Sequence, residues 1–230
     1  MWTKIKICGC KRKEDIELVN KFRPDYVGFV FAPSSRRVSY ELAKELKGIL
    51  SKEIQSVGVF VNEPLEQIIT LCNHQVIDVI QLHGDETSEY IKILKKEVSQ
   101  SIIKAVRVIS KEQIQKFDES PSDFLLLDTF QKGHYGGGGI VFDWSMIPKL
   151  SKPYFLAGGI HAGNVKQAVN ECRPYGIDLS SGVEVDGFKN EAKIRRLMHE
   201  LNEMNNESMN QMGDDEGYLC KIHLKFVEER

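Results

Sequence analysis

The feature that most limits what this chain can fold into is a regular exchange between short apolar runs and longer segments with helical spacing. Eight runs rich in Val, Ile, Leu and Phe stand out, at 4–8, 26–31, 56–61, 77–82, 102–106, 124–127, 154–157 and 176–179. They read as strands. Several are apolar at consecutive positions, as strands covered on both faces must be, which favours a parallel sheet wrapped by helices over a sandwich.

Between the runs, apolar residues recur at helical spacing: Leu42, Ala43, Leu46 and Ile49 behind a capping Ser39, and Leu65, Ile68, Ile69 and Cys72 behind Pro64. Ile91, Leu94 and Val98 repeat the pattern, as do Val165, Ala168, Val169 and Cys172, then Ile194, Leu197, Met198 and Leu201. Eight strands each followed by a crossover predict an α/β fold of the (β/α)8 TIM-barrel type, usually about 250 residues long. An open doubly wound sheet is the runner-up. The weakest fit is the polar, glycine-rich stretch 129–139, where a long loop and only a short helix near 145–150 are expected.

At 230 residues the chain suits one such barrel, although two small domains would also fit the length. The expected division is a catalytic barrel over 1–202 and a polar, flexible extension over 203–230, because Asn-rich and acidic residues follow Asn202. The segment 218–227 regains some alternation and is assigned no role. Lys plus Arg number 31 against 33 Asp plus Glu, a formal charge of -2, so no net field recruits nucleic acid. The five cysteines are odd in number and lack paired metal-ligand spacing, and Lys4 and Lys6 break up any signal-peptide apolar stretch. A reduced, cytoplasmic protein is expected, with no membrane span, since no apolar run approaches the ~20 residues needed.

In such a barrel the chemistry lies at the carboxyl ends of the strands. That rule selects Cys8, Arg36 and Arg37, Asn62, Gln81 and His83, Arg107, Asp128, Gly158 and Gly159, and Asp178 with Ser180, Ser181 and Gly182. Gly158-Gly159 after the seventh strand and Ser181-Gly182 after the eighth suit phosphate binding by backbone N–H groups. An isolated Gly-Gly would more often be a plain turn; two small clusters at the two expected places favour a phosphorylated small substrate. Cys8 is a candidate base or nucleophile, although a lone strand-end cysteine is more often buried packing. Cys8 with Cys10 as a metal or redox pair is a third reading. Asp128, carried into a pocket by an apolar strand, suits a general acid that keeps its proton, with a loop-capping aspartate as the bland alternative. Arg36 or Arg37 suits an anion clamp, and His83 a pocket wall.

Taken in order, Lys6-Ile7-Cys8-Gly9, Asp25-Tyr26-Val27-Gly28-Phe29-Val30-Phe31, Val57-Gly58-Val59-Phe60-Val61-Asn62 and Gln81-Leu82-His83-Gly84 form a specific pattern. Leu126-Leu127-Asp128, Gly136-Gly137 through Phe142-Asp143-Trp144, Ala157-Gly158-Gly159 and Asp178-Leu179-Ser180-Ser181-Gly182-Val183-Glu184 extend it. With these residues the chain resembles phosphoribosylanthranilate isomerase of tryptophan biosynthesis from Lys4 to about Leu201. The resemblance implies a cofactor-free, metal-free Amadori rearrangement with Cys8 as general base and Asp128 as general acid. It also implies Arg36 as substrate anchor, or Arg37 if a gap intervenes, with His83 and Asp178 as further substrate contacts and the phosphate at Gly158, Gly159, Ser181 and Gly182. A monomer or homodimer is expected. The chain departs from the pattern at Cys10, at Gly138-Gly139-Ile140 and in its tail; the glycine run at 136–139 suggests a lid. The rival reading is a catalytically silent ligand- or metal-binding barrel using Cys8 and Cys10.

Overall fold

The structure, a computed structural model, describes residues 3–129 and 141–211. Eight parallel strands close on themselves in sequence order, the eighth pairing with the first, which excludes the open sheet. They are β1 Lys4–Cys8, β2 Tyr26–Val30, β3 Gln55–Phe60, β4 Val79–Leu82, β5 Ser101–Val108, β6 Phe124–Thr129, β7 Tyr154–Leu156 and β8 Gly176–Leu179. The helices are α1 Lys13–Phe22, α2 Tyr40–Ile49, α3 Leu65–Asn73, α4 Ser88–Glu97, α5 Lys111–Asp118, α6 Val165–Cys172 and α7 Glu191–Gln211. Ser39 caps α2 by accepting from the Leu42 N–H, as its position predicts, and Thr87 and Ser110 cap α4 and α5 in the same way.

Alternation along each strand divides the buried side chains into two sets. Ile7, Val27, Phe29, Phe60, Ile80, Leu82, Leu125, Leu127, Ile177 and Leu179 face outward and build the large core with the helices. Tyr26, Val57, Val79, Ile103, Ala105, Leu126, Phe155 and Ala157 face inward and plug the lumen. A filled floor leaves the carboxyl ends of the strands as the open end of the barrel.

Between β6 and β7 the described residues hold a single 3-10 turn, Trp144–Met146, shorter than the helix expected near 145–150. The glycine run at 136–139 and the segment 218–227 lie outside the described residues. The boundary expected at 202 falls inside α7, which continues to Gln211. Leu201 is buried and Met204 packs on the core, and a helix already formed extends cheaply through Glu, Met and Gln even without an aliphatic face. Among the described residues no helix is long and apolar enough to cross a membrane.

Candidate active site

Lys4, Lys6 and Cys8 share the lumen-facing register of β1, and the two members nearer its carboxyl end meet chemistry there. The Lys6 side chain is completely buried and its Nζ lies 2.8 Å from Asp178 Oδ1, directly across the β1–β8 seam where the two residues are register partners. The same ammonium interacts electrostatically with the Cys8 sulfur. Burial works against the charge on Lys6, but the Asp178 carboxylate and the Cys8 sulfur outweigh it and raise its pKa. Burial pushes the Cys8 thiol above its ordinary range, and Lys6, then Lys189, pull it back. Gly28 faces Cys8 in the β1–β2 register, and a Cβ there would stand 2.6 Å from Sγ. The missing side chain is what admits the sulfur.

Cys10 belongs elsewhere. Its side chain is part of the core outside the barrel wall, and burial pushes its thiol up to about 12. A cysteine pair sharing one ligand is therefore a poor description of Cys8 and Cys10. Among the described residues no group of three or more His, Cys, Asp or Glu side chains is placed to hold a metal.

On the opposite wall, Asp128 follows Leu126 in the inward register of β6 and is 5 % exposed. Its Oδ1 accepts from the Thr129 N–H, and its Oδ2 lies 3.3 Å from His83 Nε2. His83 in turn stands above Gln81 on β4, their Nδ1 and Nε2 atoms 2.8 Å apart. Arg107 is the register partner of Asp128 on β5 and pairs with Asp85 at the rim. Cys8 thus ends β1 and Asp128 stands one residue before the end of β6, both side chains turned toward the lumen, and His83 accompanies the carboxyl.

Arg36 crosses over Gly9 and reaches Glu184 with two parallel hydrogen bonds of 2.9 and 2.7 Å, while Arg37 is exposed. Glu184 opens a small hairpin, Glu184–Val185 with Phe188–Lys189, and also accepts from Lys189 Nζ at 2.6 Å. Lys189 donates onward to the Cys8 carbonyl, tying the end of β1 to this hairpin. Burial alone would raise the Glu184 pKa, but the bond from Arg36 and the charge and bond of Lys189 bring it down to about 2. A carboxylate held low in the fold contributes stability above its ordinary pKa of 4.5 and loses it as pH falls toward about 2. Glu184→Gln should remove that acid-linked loss. It should also cost about 3–5 kcal/mol at neutral pH by stranding the buried Lys189 and half-buried Arg36, to be read from urea melts at pH 7 and pH 3.

The loops after β7 and β8 touch. A Cβ on Gly182 would stand 2.0 Å from the Ile160 carbonyl oxygen, so only glycine lets the two backbones approach. Gly158 and Gly159 both take positive φ, and Asn164 Nδ2 holds the Gly159 carbonyl. The N–H groups of Gly159, Ser181 and Gly182 donate to no acceptor among the described residues. They form a small backbone concavity beside the mouth.

Asn62, also selected by its strand-end place, has a structural task instead. Its side chain accepts from the Asp85 N–H and its own N–H donates to Glu86, which shares a fully buried ion pair with Lys104. Three contributors escaped the sequence reading as functional residues: Lys6, Glu184 and Lys189. A signal for Lys6 existed in the i, i+2 spacing that sets it on the same strand face as Cys8.

Comparisons with known proteins agree on one family. The sequence profile described as N-(5'phosphoribosyl)anthranilate (PRA) isomerase matches residues 5–200. An N-(5'-phosphoribosyl)anthranilate isomerase of Endomicrobium trichonymphae is 46% identical over 191 residues, covering 83% of this chain and 94% of that protein. Among solved structures, the phosphoribosyl anthranilate isomerase of Thermus thermophilus superposes with a TM-score of 0.78 at 31% identity, covering 88% of this chain and 100% of that one. A phosphoribosyl anthranilate isomerase in complex with reduced 1-(o-carboxyphenylamino)-1-deoxyribulose 5-phosphate superposes with a TM-score of 0.73 at 30% identity, covering 87% and 99%.

Proposed function

The chain belongs to the N-(5'-phosphoribosyl)anthranilate isomerase family, and from that premise we propose which of its residues carry the reaction. The enzyme is an isomerase of tryptophan biosynthesis that converts N-(5'-phosphoribosyl)anthranilate to 1-(2-carboxyphenylamino)-1-deoxyribulose 5-phosphate. Its net chemistry moves hydrogen from C2′ to C1′ of the sugar.

Asp128 gives its proton to the furanose ring oxygen as the C1′–O bond breaks, leaving a hydroxyl on the sugar and a protonated Schiff base at C1′. Cys8, as thiolate, takes the proton from C2′, and the electrons of that C–H bond neutralise the iminium to give an enolamine. Protonation at C1′ and loss of the 2′-hydroxyl proton then yield the ketone. Proton transfers of this kind need an acid and a base on opposite sides of one substrate. The observation that carries the reading is the placement of Cys8 and Asp128 on β1 and β6, both turned into one lumen.

The remaining assignments follow the same geometry. The N–H groups of Gly159, Ser181 and Gly182, with Gly158 beneath them, receive the substrate phosphate. Arg36, held across the mouth by Glu184, faces the anthranilate carboxylate, and His83 and Asp178 contact the sugar. We place the enzyme in the cytoplasm, where Cys8, Cys10, Cys72 and Cys172 remain free thiols.

The direct test follows consumption of phosphoribosylanthranilate by fluorescence. The full chain and a chain ending at Gln211 should turn over at equal rates. A chain ending at Asn202 should lose stability because it cuts α7 beside buried Leu201. No consumption by the intact protein would overturn the assignment.

A further inference from the structure

Hydrogen-bond accounting in the lumen leaves one knot. Gln81 and His83 are 1 % and 9 % exposed, and among the described residues Gln81 Oε1 and His83 Nε2 both lack a hydrogen-bond partner. In one amide orientation Gln81 donates to His83 Nδ1, which places the ring proton on Nε2, 3.3 Å from Asp128 Oδ2. That N–H makes no hydrogen bond to the carboxylate. Turning the amide by 180° exchanges atoms of almost equal shape and lets Oε1 accept from Nδ1–H. The turn swaps one unpartnered amide atom for another, so it is neutral for the glutamine. What it changes is the ring.

With Nδ1 protonated, His83 Nε2 presents a lone pair to Asp128 Oδ2. A lone pair beside a carboxylate is repulsive, whereas a carboxyl O–H rotates onto it and makes the missing bond. We propose that Gln81 is a positioning residue: by accepting from His83 Nδ1 it fixes the imidazole as an acceptor facing Asp128 Oδ2, so that the proton Asp128 carries into the reaction is steered to that oxygen. Oδ1 is already occupied by the Thr129 N–H, which leaves Oδ2 as the oxygen that carries the proton. The charged groups beside the pair are Arg107, the β5 register partner of Asp128, and Asp85, which pairs with Arg107. The catalytic consequence rests on Asp128 acting as the acid; the tautomer does not.

Nitrogen-15 spectra of histidine-labelled protein, with the His83 signals assigned by difference from His83→Gln, read the tautomer directly. The wild type should show a protonated Nδ1 and a bare, hydrogen-bonded Nε2. Gln81→Glu keeps an acceptor for the Nδ1–H, so Nδ1 should stay protonated. Gln81→Leu should release that tautomer and lower kcat by roughly tenfold or more, short of the about 10²–10⁴ that loss of a general acid costs, with KM little changed. A wild-type ring protonated on Nε2 alone, or on both nitrogens, overturns the proposal, as does a Gln81→Leu enzyme with unchanged tautomer and kcat. A wild-type ring protonated on Nδ1 in a protein that fails to consume substrate would strike the assigned reaction and leave the tautomer standing.

Discussion

Asp128→Asn is expected to lower kcat for phosphoribosylanthranilate by about 10²–10⁴ while leaving the melting temperature close to that of the wild type. Asparagine matches aspartate in shape, keeps an oxygen for the Thr129 N–H and faces His83 with an amide. It has no proton to give to the ring oxygen. KM should hold within a few-fold, because the phosphate and carboxylate contacts proposed for Gly159, Ser181, Gly182 and Arg36 are untouched. Single-turnover fluorescence separates the cases: slow ring opening with normal binding supports the general-acid role, and turnover within tenfold of the wild type would sink it.

Cys8→Ser should be of comparable severity, again by about 10²–10⁴, since a hydroxyl in the same place is a far weaker base precursor than a thiol. The pH dependence supplies the sharper measurement. A general base acts when deprotonated, and burial holds the Cys8 thiol above its ordinary range, so kcat/KM should rise with pH on its acid limb. Lys6 opposes that burial. Lys6→Met removes the opposing charge, so the same limb should move further toward alkaline pH. Removing Lys6 also leaves the Asp178 side chain, 9 % exposed, without its cation. The expected stability loss is about 3–5 kcal/mol, and Lys6→Met with Asp178→Asn should recover part of it. A limb that stays in place when Lys6 is lost would separate the lysine from the base.

The barrel was legible in the sequence because a strand buried on both faces shows in its residue pattern: the runs at 4–8 and 176–179 coincide with β1 and β8, and the others shift by one to a few residues. Helix α1 was harder to see, since only Ile16 and Val19 of its apolar face are fully buried among charged neighbours. The reach of α7 past Asn202 was missed because composition reports packing, whereas helix continuation depends on what lies just before. At the site, strand-end position found Cys8, His83 and Asp128. Position could not find what holds them. The partners of Lys6 and Glu184 lie 172 and 148 residues away, and such pairs exist only once the strands are in register. Gln81 shows in the sequence as a strand-end polar residue, but the task proposed for it depends on an amide orientation that no sequence states.

The seam between the first and last strands has a consequence for biosynthesis of the chain itself. A ribosome delivers Lys6 at the outset and Asp178 only after most of the polypeptide has emerged. Until then the ammonium has no counter-ion and is best left in water, so a nascent amino-terminal half gains nothing by sealing its first strand into a dry interior. Ring closure is thereby postponed until the eighth strand arrives, and truncated translation products ending before it should remain open and protease-sensitive.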